Sequence, residues 1–265
     1  MAKISNLAYV HPDAWLADDV VVDAFAYIEA DVEISSGCHI HPHASILNGS
    51  RIGKNNEIFE GAIISATPQD FRWKGEDSLV VIGDNNKIRE QVIINRSIHK
   101  GGKTVIGNNS FIMAQTHIGH DSFIGNYVVL GNSVKIAGDV KIGDKSILSS
   151  HALVHEKCHV GEWVLVKGGC RVNGHVPPFT VMAHNPIGYF GVNAFVLKKG
   201  KKSDDIITDI AKCYRHLYLE GTSVFNALRR IKQDVDPSNE RDQIIAFIED
   251  HDQKLAAVPV IDTED

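Results

Sequence analysis

Residues 106–177 divide into consecutive sixes: IGNNSF, IMAQTH, IGHDSF, IGNYVV, LGNSVK, IAGDVK, IGDKSI, LSSHAL, VHEKCH, VGEWVL, VKGGCR and VNGHVP. Each six opens on Ile, Leu or Val, and its fifth residue is Ser, Thr, Val, Ala or Cys. A strict internal period outranks local propensity. It predicts a solenoid of short parallel strands, with the aliphatic residue filling the interior and the small residue letting the walls close. The same phase begins earlier, at Val10, Leu16, Val22, Ile28, Ile34, Ile40, Ile46, Ile52, Ile58 and Ile64. It breaks at 65–81, where Pro68 and Gly75 predict a loop thrown out of the coil. It resumes at Ile82, Ile88 and Ile94, and a shorter break, HKGGKT, occupies 99–104. Three sixes make one triangular turn of about eighteen residues, so residues eighteen apart stack at strand spacing, and about eight turns build a prism roughly 40 Å long.

The period ends near Pro177, Pro178, Pro186 and Gly188. Helical periodicity follows. Ser203 is placed to cap a helix with Ile206, Ile210, Cys213 and Leu217 on one face. Thr222 is expected to open a second helix around VFNALRRIKQ, and Pro237 and Ser238 precede a third, NERDQIIAFIEDHDQKL. The polar end beyond Ala257 is expected to fray. The expected division is a prism over 1–190 and a helical domain over 191–265. A helical cap would cover strand edges that the open end of the prism leaves unpaired.

With 43% hydrophobic residues in 265, no apolar run near eighteen and no secretory signal, the expectation is a cytoplasmic protein without a transmembrane segment. A net charge of −6 argues against a general nucleic-acid binder. Cys38, Cys158 and Cys170 fall at fifth positions, which predicts packed thiols. His39, His41 and His43 alternate along a strand and could face a metal, a solvated strand face being the simpler reading.

His117 and His120, in QTHIGHD, can line one outer edge, with Asp121 placed to orient an imidazole. Gly138 lies eighteen residues after His120, and His155 one position short of two turns on, so the three mark a groove parallel to the axis. A single histidine base beside a glycine N–H suits acyl transfer to a hydroxyl. The base takes the alcohol proton and the N–H stabilises the oxyanion.

The segments IGDNNKIREQVIINR, THIGHD, KGGC, NGHVPPF and GVN resemble the UDP-N-acetylglucosamine O-acyltransferase family, and the resemblance extends over nearly the whole chain. It implies an all-β left-handed parallel β-helix with a C-terminal α-helical cap, and a homotrimer with sites in clefts between prisms. It implies transfer of an (R)-3-hydroxyacyl chain from acyl carrier protein to the 3-hydroxyl of UDP-N-acetylglucosamine, the first step of lipid A biosynthesis, with no metal or tightly bound cofactor. Carried over by position, it makes His120 the general base, Asp121 its orienting partner and Gly138 the oxyanion donor. His117 and His155 would contact sugar and acyl donor. Gln69, Asp70 and Arg72, in PQDFRW, would touch donor and sugar, Arg72 standing where the family often has Lys. Asn193 and Lys199 match contacts to the uridine diphosphate. Gly169 becomes an acyl-chain ruler, reached by a tail running from His120 toward the C-terminal coils, which predicts a donor longer than about ten carbons. The chain departs from the family pattern at Asp139, Pro186 and Phe195. The related N-acyltransferase carries an extra N-terminal domain, for which no room is expected before Val10.

The basic run LKKGKK, Leu197 to Lys202, is either a solvated turn before a helix or an attraction for a diphosphate or an acidic carrier protein. Three other functions are weighed against the committed one. A zinc carbonic anhydrase of the hexapeptide class needs three neutral histidines, and His117 and His120 have no third partner at the expected spacing. A coenzyme A-dependent acetyltransferase differs in its donor. A non-catalytic spacer leaves the loop, the His–Gly stack and KGGC unexplained.

Overall fold

The computed structural model describes residues 2–251 and 254–257. Strands of two to four residues, with one of five ending the first wall, wind into a left-handed parallel β-helix with three walls. The first wall runs from Lys3–Ile4 through Gly188–Val192, with eleven strands; the second from Tyr9–Val10 to Arg171–Val172, with nine; the third from Trp15–Leu16 to His159–Val160, with eight. In the long regular stretch the pairing is eighteen residues apart, as in Ile112 opposite Leu130 and Ile124 opposite Ile142. The first residue of each six points inward: Ile28, Ile40, Ile58, Ile88, Ile118 and Ile136 are all fully buried. Each such side chain contributes about 1.5–3 kcal/mol relative to exposure. The fifth positions are buried as well, and Cys38, Cys158 and Cys170 are free thiols among them. Val10 and Leu16, in the first coils, are only half-buried.

Both breaks in the period fall between the second and third walls. The first joins Ile63–Ala66 to Leu79–Ile82 and lengthens the pairing step to Ile64 opposite Ile94. The second joins Ile93–Asn95 to Lys103–Ile106 and gives Ile94 opposite Ile118. The strands flanking each break grow to three or four residues, so the first ejected loop, 67–78, is shorter than the interruption at 65–81, while the second, 96–102, begins ahead of the break at 99–104. One corner of the prism therefore carries both insertions, immediately before the coil that holds His120.

Pro177 and Pro178 do not end the first wall. Thr180–Ala183 continues it in parallel, and Gly188–Val192 folds back antiparallel after the cis Asn185–Pro186 peptide. Four helices follow: α1 (Ala194–Lys199), α2 (Asp204–Tyr218), α3 (Val224–Asp234) and α4 (Asn239–His251). Helix α1 had no counterpart in the sequence reading. The Ser203 side chain caps α2 by accepting from the Ile206 N–H, 3.3 Å. Ser223, not Thr222, caps α3, accepting from Asn226 at 3.2 Å. The hydroxyl one residue later has the extended backbone that an N-cap requires. Helices α2–α4 enclose a second core of Phe179, Ile210, Tyr214, Leu217, Ile231 and Ile248. It is tied to the prism by Tyr214 donating to Pro178 O and by His175 pairing with the 254–256 segment. The expected fraying beyond Ala257 lies outside the described residues.

Candidate active site

The corner between the second and third walls builds the site. After the strand His117–Ile118 the chain turns outward through Gly119, His120 and Asp121, and Asp121 adopts φ +60°, a left-handed conformation that Asp tolerates better than most residues. That turn folds the Asp121 carboxylate back onto its neighbour: Oδ2 lies 2.8 Å from His120 Nδ1. The carboxylate is itself fixed, accepting from the Ser97 hydroxyl and from the Ile98 N–H at 3.1 Å, while the Asp121 N–H donates to Thr104 Oγ1 at 2.9 Å. Burial alone would raise its pKa. The bonds from Ser97, His120 and Ile98 outweigh that, and the net shift is downward, so it stays a carboxylate. An anion at Nδ1 holds the proton there and leaves Nε2 with its lone pair, as a general base requires.

Nε2 faces a cavity of about 270 Å³ lined by Gln69, Asp70, Asn95, His117, Gly119, His120, Ala137, Gly138 and Glu156. His120 is 7% exposed. Gly138 stacks on it one turn later, where the Asp139 N–H donates to His120 O at 2.9 Å. A Cβ on Gly138 would come closer than 3.0 Å to His120 Cε1 and Nε2, so only glycine leaves that edge of the imidazole open. The Gly138 carbonyl accepts from Lys157, and its own N–H has no partner among the described residues. The ejected loop closes the other side. Asp70 Oδ2 stands 3.4 Å from His120 Nε2, and Arg72 grips Asp70 through Nε–Oδ1, 2.9 Å, and Nη2–Oδ2, 2.7 Å. Those bonds hold the Asp70 carboxyl well below the usual carboxylate range. Arg72 also reaches Glu156 Oε1 at 3.2 Å, latching the loop to a coil two turns on. Burial, then Lys135 and His120, lower the pKa of His117. A larger concavity of about 340 Å³, beside Asp31, Asp77 and Arg96, holds no histidine, so size does not pick out the site.

Of the residues singled out from the sequence, Gln69, Asp70, Arg72, His117, His120, Asp121 and Gly138 converge here. His155 does not. Two full turns from His120 end on Glu156, and His155 faces a separate depression with Arg171, Asn173, Asn185, Pro186 and Ile187. Gly169 stands on another corner, between the first and second walls, stacked on Ser150 through its N–H at 3.1 Å. Its distance from His120 is not a whole number of turns, so a tail lying along one edge of one prism cannot reach it. Its Cβ direction is open, and φ is +72°. Asn193 is buried, its side-chain amide donating to Trp163 O at 2.9 Å, and Lys199 lies 4.5 Å over the exposed Phe195 ring. In the basic run, Lys198 pairs with Asp204 at 2.8 Å and Lys202 with Glu240, so half of its charge is committed within the cap. Sequence reasoning missed Ser97, Thr104, Asn95 and Glu156. The signal was present: both breaks in the period precede His120 on its own corner. Among the described residues, His117 and His120 belong to no three-ligand metal cluster.

Known proteins resemble this chain over nearly its whole length. The family profile described as Udp N-acetylglucosamine O-acyltransferase, domain 2, matches residues 175–256, and the bacterial transferase hexapeptide profile matches 103–138 and 121–156. The acyl-[acyl-carrier-protein]–UDP-N-acetylglucosamine O-acyltransferase of Xanthomonas euvesicatoria is 42% identical, over 95% of this chain and 97% of its own. The crystal structure of the UDP-N-acetylglucosamine acyltransferase from Bacteroides fragilis superposes with a TM-score of 0.90 at 39% identity, covering 97% of this chain and 99% of that one. The enzyme from Francisella novicida gives 0.91 at 34%, covering 97% and 95%. On that identity and coverage, over both the repeat and the helical cap, the chain belongs to the UDP-N-acetylglucosamine O-acyltransferase family.

Proposed function

We propose that this chain transfers an (R)-3-hydroxyacyl group from acyl carrier protein to the 3-hydroxyl of UDP-N-acetylglucosamine, the first step of lipid A biosynthesis. The observation that carries the mechanism is His120, held by Asp121 at Nδ1 and presenting Nε2 to a cavity walled by Gly138. The sugar hydroxyl sits between Asp70 and His120, where Asp70 accepts a neighbouring hydroxyl hydrogen bond and fixes the acceptor's orientation. Nε2 takes the hydroxyl proton as the oxygen attacks the thioester carbonyl. The Gly138 N–H receives the oxyanion. Collapse breaks the C–S bond, and the imidazolium returns its proton to the departing carrier thiolate. Arg72 and Glu156 set the height of the loop over this reaction, and Gln69 and His117 flank the acceptor.

The protein works as a homotrimer in the cytoplasm. Gly169, Asn193, Lys199 and His155 lie away from His120 within one chain, and a neighbouring prism supplies the second wall of a cleft that joins them. In that assembly the first-to-second-wall corner of one protomer faces the second-to-third-wall corner of the next, which brings Gly169 to the end of the acyl tail. The division between prism and cap falls after Gly188–Val192, two residues beyond the expected 190/191, because that strand pairs back onto Thr180–Ala183. No helix among the described residues is long and apolar enough to cross a membrane. Mass spectrometry of the products from mixed carrier-protein thioesters, acetyl-coenzyme A and UDP-N-acetylglucosamine tests the reading. A singly O-acylated UDP-sugar carrying a long 3-hydroxyacyl chain is expected, and an acetylated product would overturn it.

A further inference from the structure

Away from the reaction corner, Asp23, His39 and His41 meet at the start of the corner between the first and second walls. Val21 pairs with His39 and Val22 with Ile40, so Asp23 comes level with His41 one residue on. Ile40 is fully buried between the two histidines, which turns both imidazoles to the outer face. Their rings stack with centroids 3.9 Å apart. Asp23 Oδ2 lies 2.7 Å from His39 Nε2 and 4.0 Å from His41 Nδ1. One donor atom from each of the three residues falls within 4.8 Å of the others. Beneath them, His41 lies flat on Phe59 at 4.4 Å, and Arg89 covers the far side of that ring. His41 Nε2 is buried with no hydrogen-bond partner.

Two observations make this more than a solvated strand face. The two imidazoles are pressed face to face and backed by the Phe59 ring, and one buried ring nitrogen, His41 Nε2, is left without a partner. Two basic groups of the neighbouring coils are engaged elsewhere, Lys87 with Glu57 at 3.0 Å and Arg89 with Glu90. Imidazole nitrogens held beside a carboxylate suit a borderline divalent metal.

We propose that Asp23, His39 and His41 form a binding site for a borderline divalent transition metal of the zinc type, with water completing the shell. A tetrahedral zinc ion with bonds of about 2.0–2.1 Å needs donor atoms roughly 3.3 Å apart. The observed spacings bracket that value, so shifts of side-chain torsions alone close the site. Two nitrogens and one oxygen select zinc, cobalt or nickel over magnesium and calcium. Because Asp23 and the histidines come from successive coils, the metal ties two N-terminal coils together across their strand pairing. It takes no part in acyl transfer, whose base is on another corner.

The test uses the untagged full-length chain, stripped of metal with a chelator. Zn²⁺ is titrated by calorimetry, and Co²⁺ is followed by its visible absorption. One ion per chain is expected, with a tetrahedral cobalt spectrum, and Mg²⁺ in excess should not displace it. His39→Ala and His41→Ala should each weaken zinc binding by at least about 100-fold, beyond the 10–100-fold typical of losing an outer partner. Asp23→Asn, nearly isosteric, keeps the fold and should weaken it by at least about 10-fold. His120→Gln should bind zinc as the parent does, and His39→Ala should retain full acyl transfer. Undiminished zinc affinity in the His39→Ala/His41→Ala double variant, or no stoichiometric zinc uptake by the parent chain, would overturn the proposal.

Discussion

Replacing Gly138 by alanine adds one methyl group at the edge of the His120 imidazole. Its Cβ would lie closer than 3.0 Å to Cε1 and Nε2 and 3.1 Å from Cδ2. Carbon contacts are comfortable at about 3.5–4.0 Å, so the ring must withdraw by on the order of 1 Å. It has little freedom to do so. Nδ1 is bonded to Asp121 at 2.8 Å, and Asp121 is held by Ser97 and Ile98. Either the coil yields, at about 1–3 kcal/mol for an overpacked site, or the ring swings and gives up a charged hydrogen bond worth about 1.5–3 kcal/mol. Gly138 has no left-handed backbone angle, so alanine meets no intrinsic strain and the contact is isolated. A displacement of about 1 Å in a catalytic group can cost about 10²-fold. A tilted Gly138 N–H adds to that loss, since removing an oxyanion donor costs about 10²–10³-fold. The expected outcome is a kcat lowered by about 10²–10³-fold, with KM for UDP-N-acetylglucosamine little changed and only a small fall in Tm. The assay is steady-state transfer to the UDP-sugar alongside a thermal melt. Gly119→Ala is the contrast, because its Cβ would collide with the Ala137 backbone and should damage folding instead. A Gly138→Ala enzyme with near-normal kcat would refute the placement of Nε2 as the base.

Three further outcomes follow from the same geometry. With Lys198 and Lys202 already paired, Lys199 and Lys201 carry most of any steering of an acidic carrier protein, so the double Lys199→Ala/Lys201→Ala variant should flatten the salt dependence of KM for the carrier, and an unchanged dependence would assign the run to cap structure. Gly169→Met should shift preference toward shorter donors, read as the ratio of ten- to fourteen-carbon rates; an unchanged ratio would separate Gly169 from the acyl tail. Stability should fall as pH drops from about 6.5 toward 4: burial, then His251, Lys141 and His175, push His159 down to about 4, so in that window the unfolded chain takes up a proton that the folded chain refuses. His159→Gln should reduce the slope of Tm against pH there, and an equal slope would place the acid sensitivity elsewhere.

Much of this was legible in the sequence because the fold is periodic. A spacing of eighteen is enough to stack Gly138 on His120, and Ile94 to Ile106 is enough to show where a coil is interrupted. The period is less informative about side chains one residue off register. His155 was read into the groove because it is a histidine, while the residue two full turns on, Glu156, carries the contact to Arg72. Ser97 was hidden because the break in the period shows where the chain leaves the coil but not which side chain of the ejected segment folds back onto Asp121. Helix α1 was missed for a local reason: it is six residues long and Asn193 provides no side-chain cap bond. Gly169 shows the limit most clearly, since along-axis distance is set by residue count but the corner is set by the remainder after whole turns.

The most direct test of the account is the turnover of His120→Ala with purified acyl carrier protein thioester and UDP-N-acetylglucosamine, measured beside its melting curve and oligomeric state. His120 lies outside the aliphatic column, and Asp121 keeps its bonds from Ser97 and Ile98 when the ring is removed, so the variant should assemble like the parent with only a modest fall in Tm. The account predicts loss of turnover by about 10²–10⁴-fold, the range supplied by a positioned general base. Turnover within a few-fold of the parent in a folded variant would contradict it.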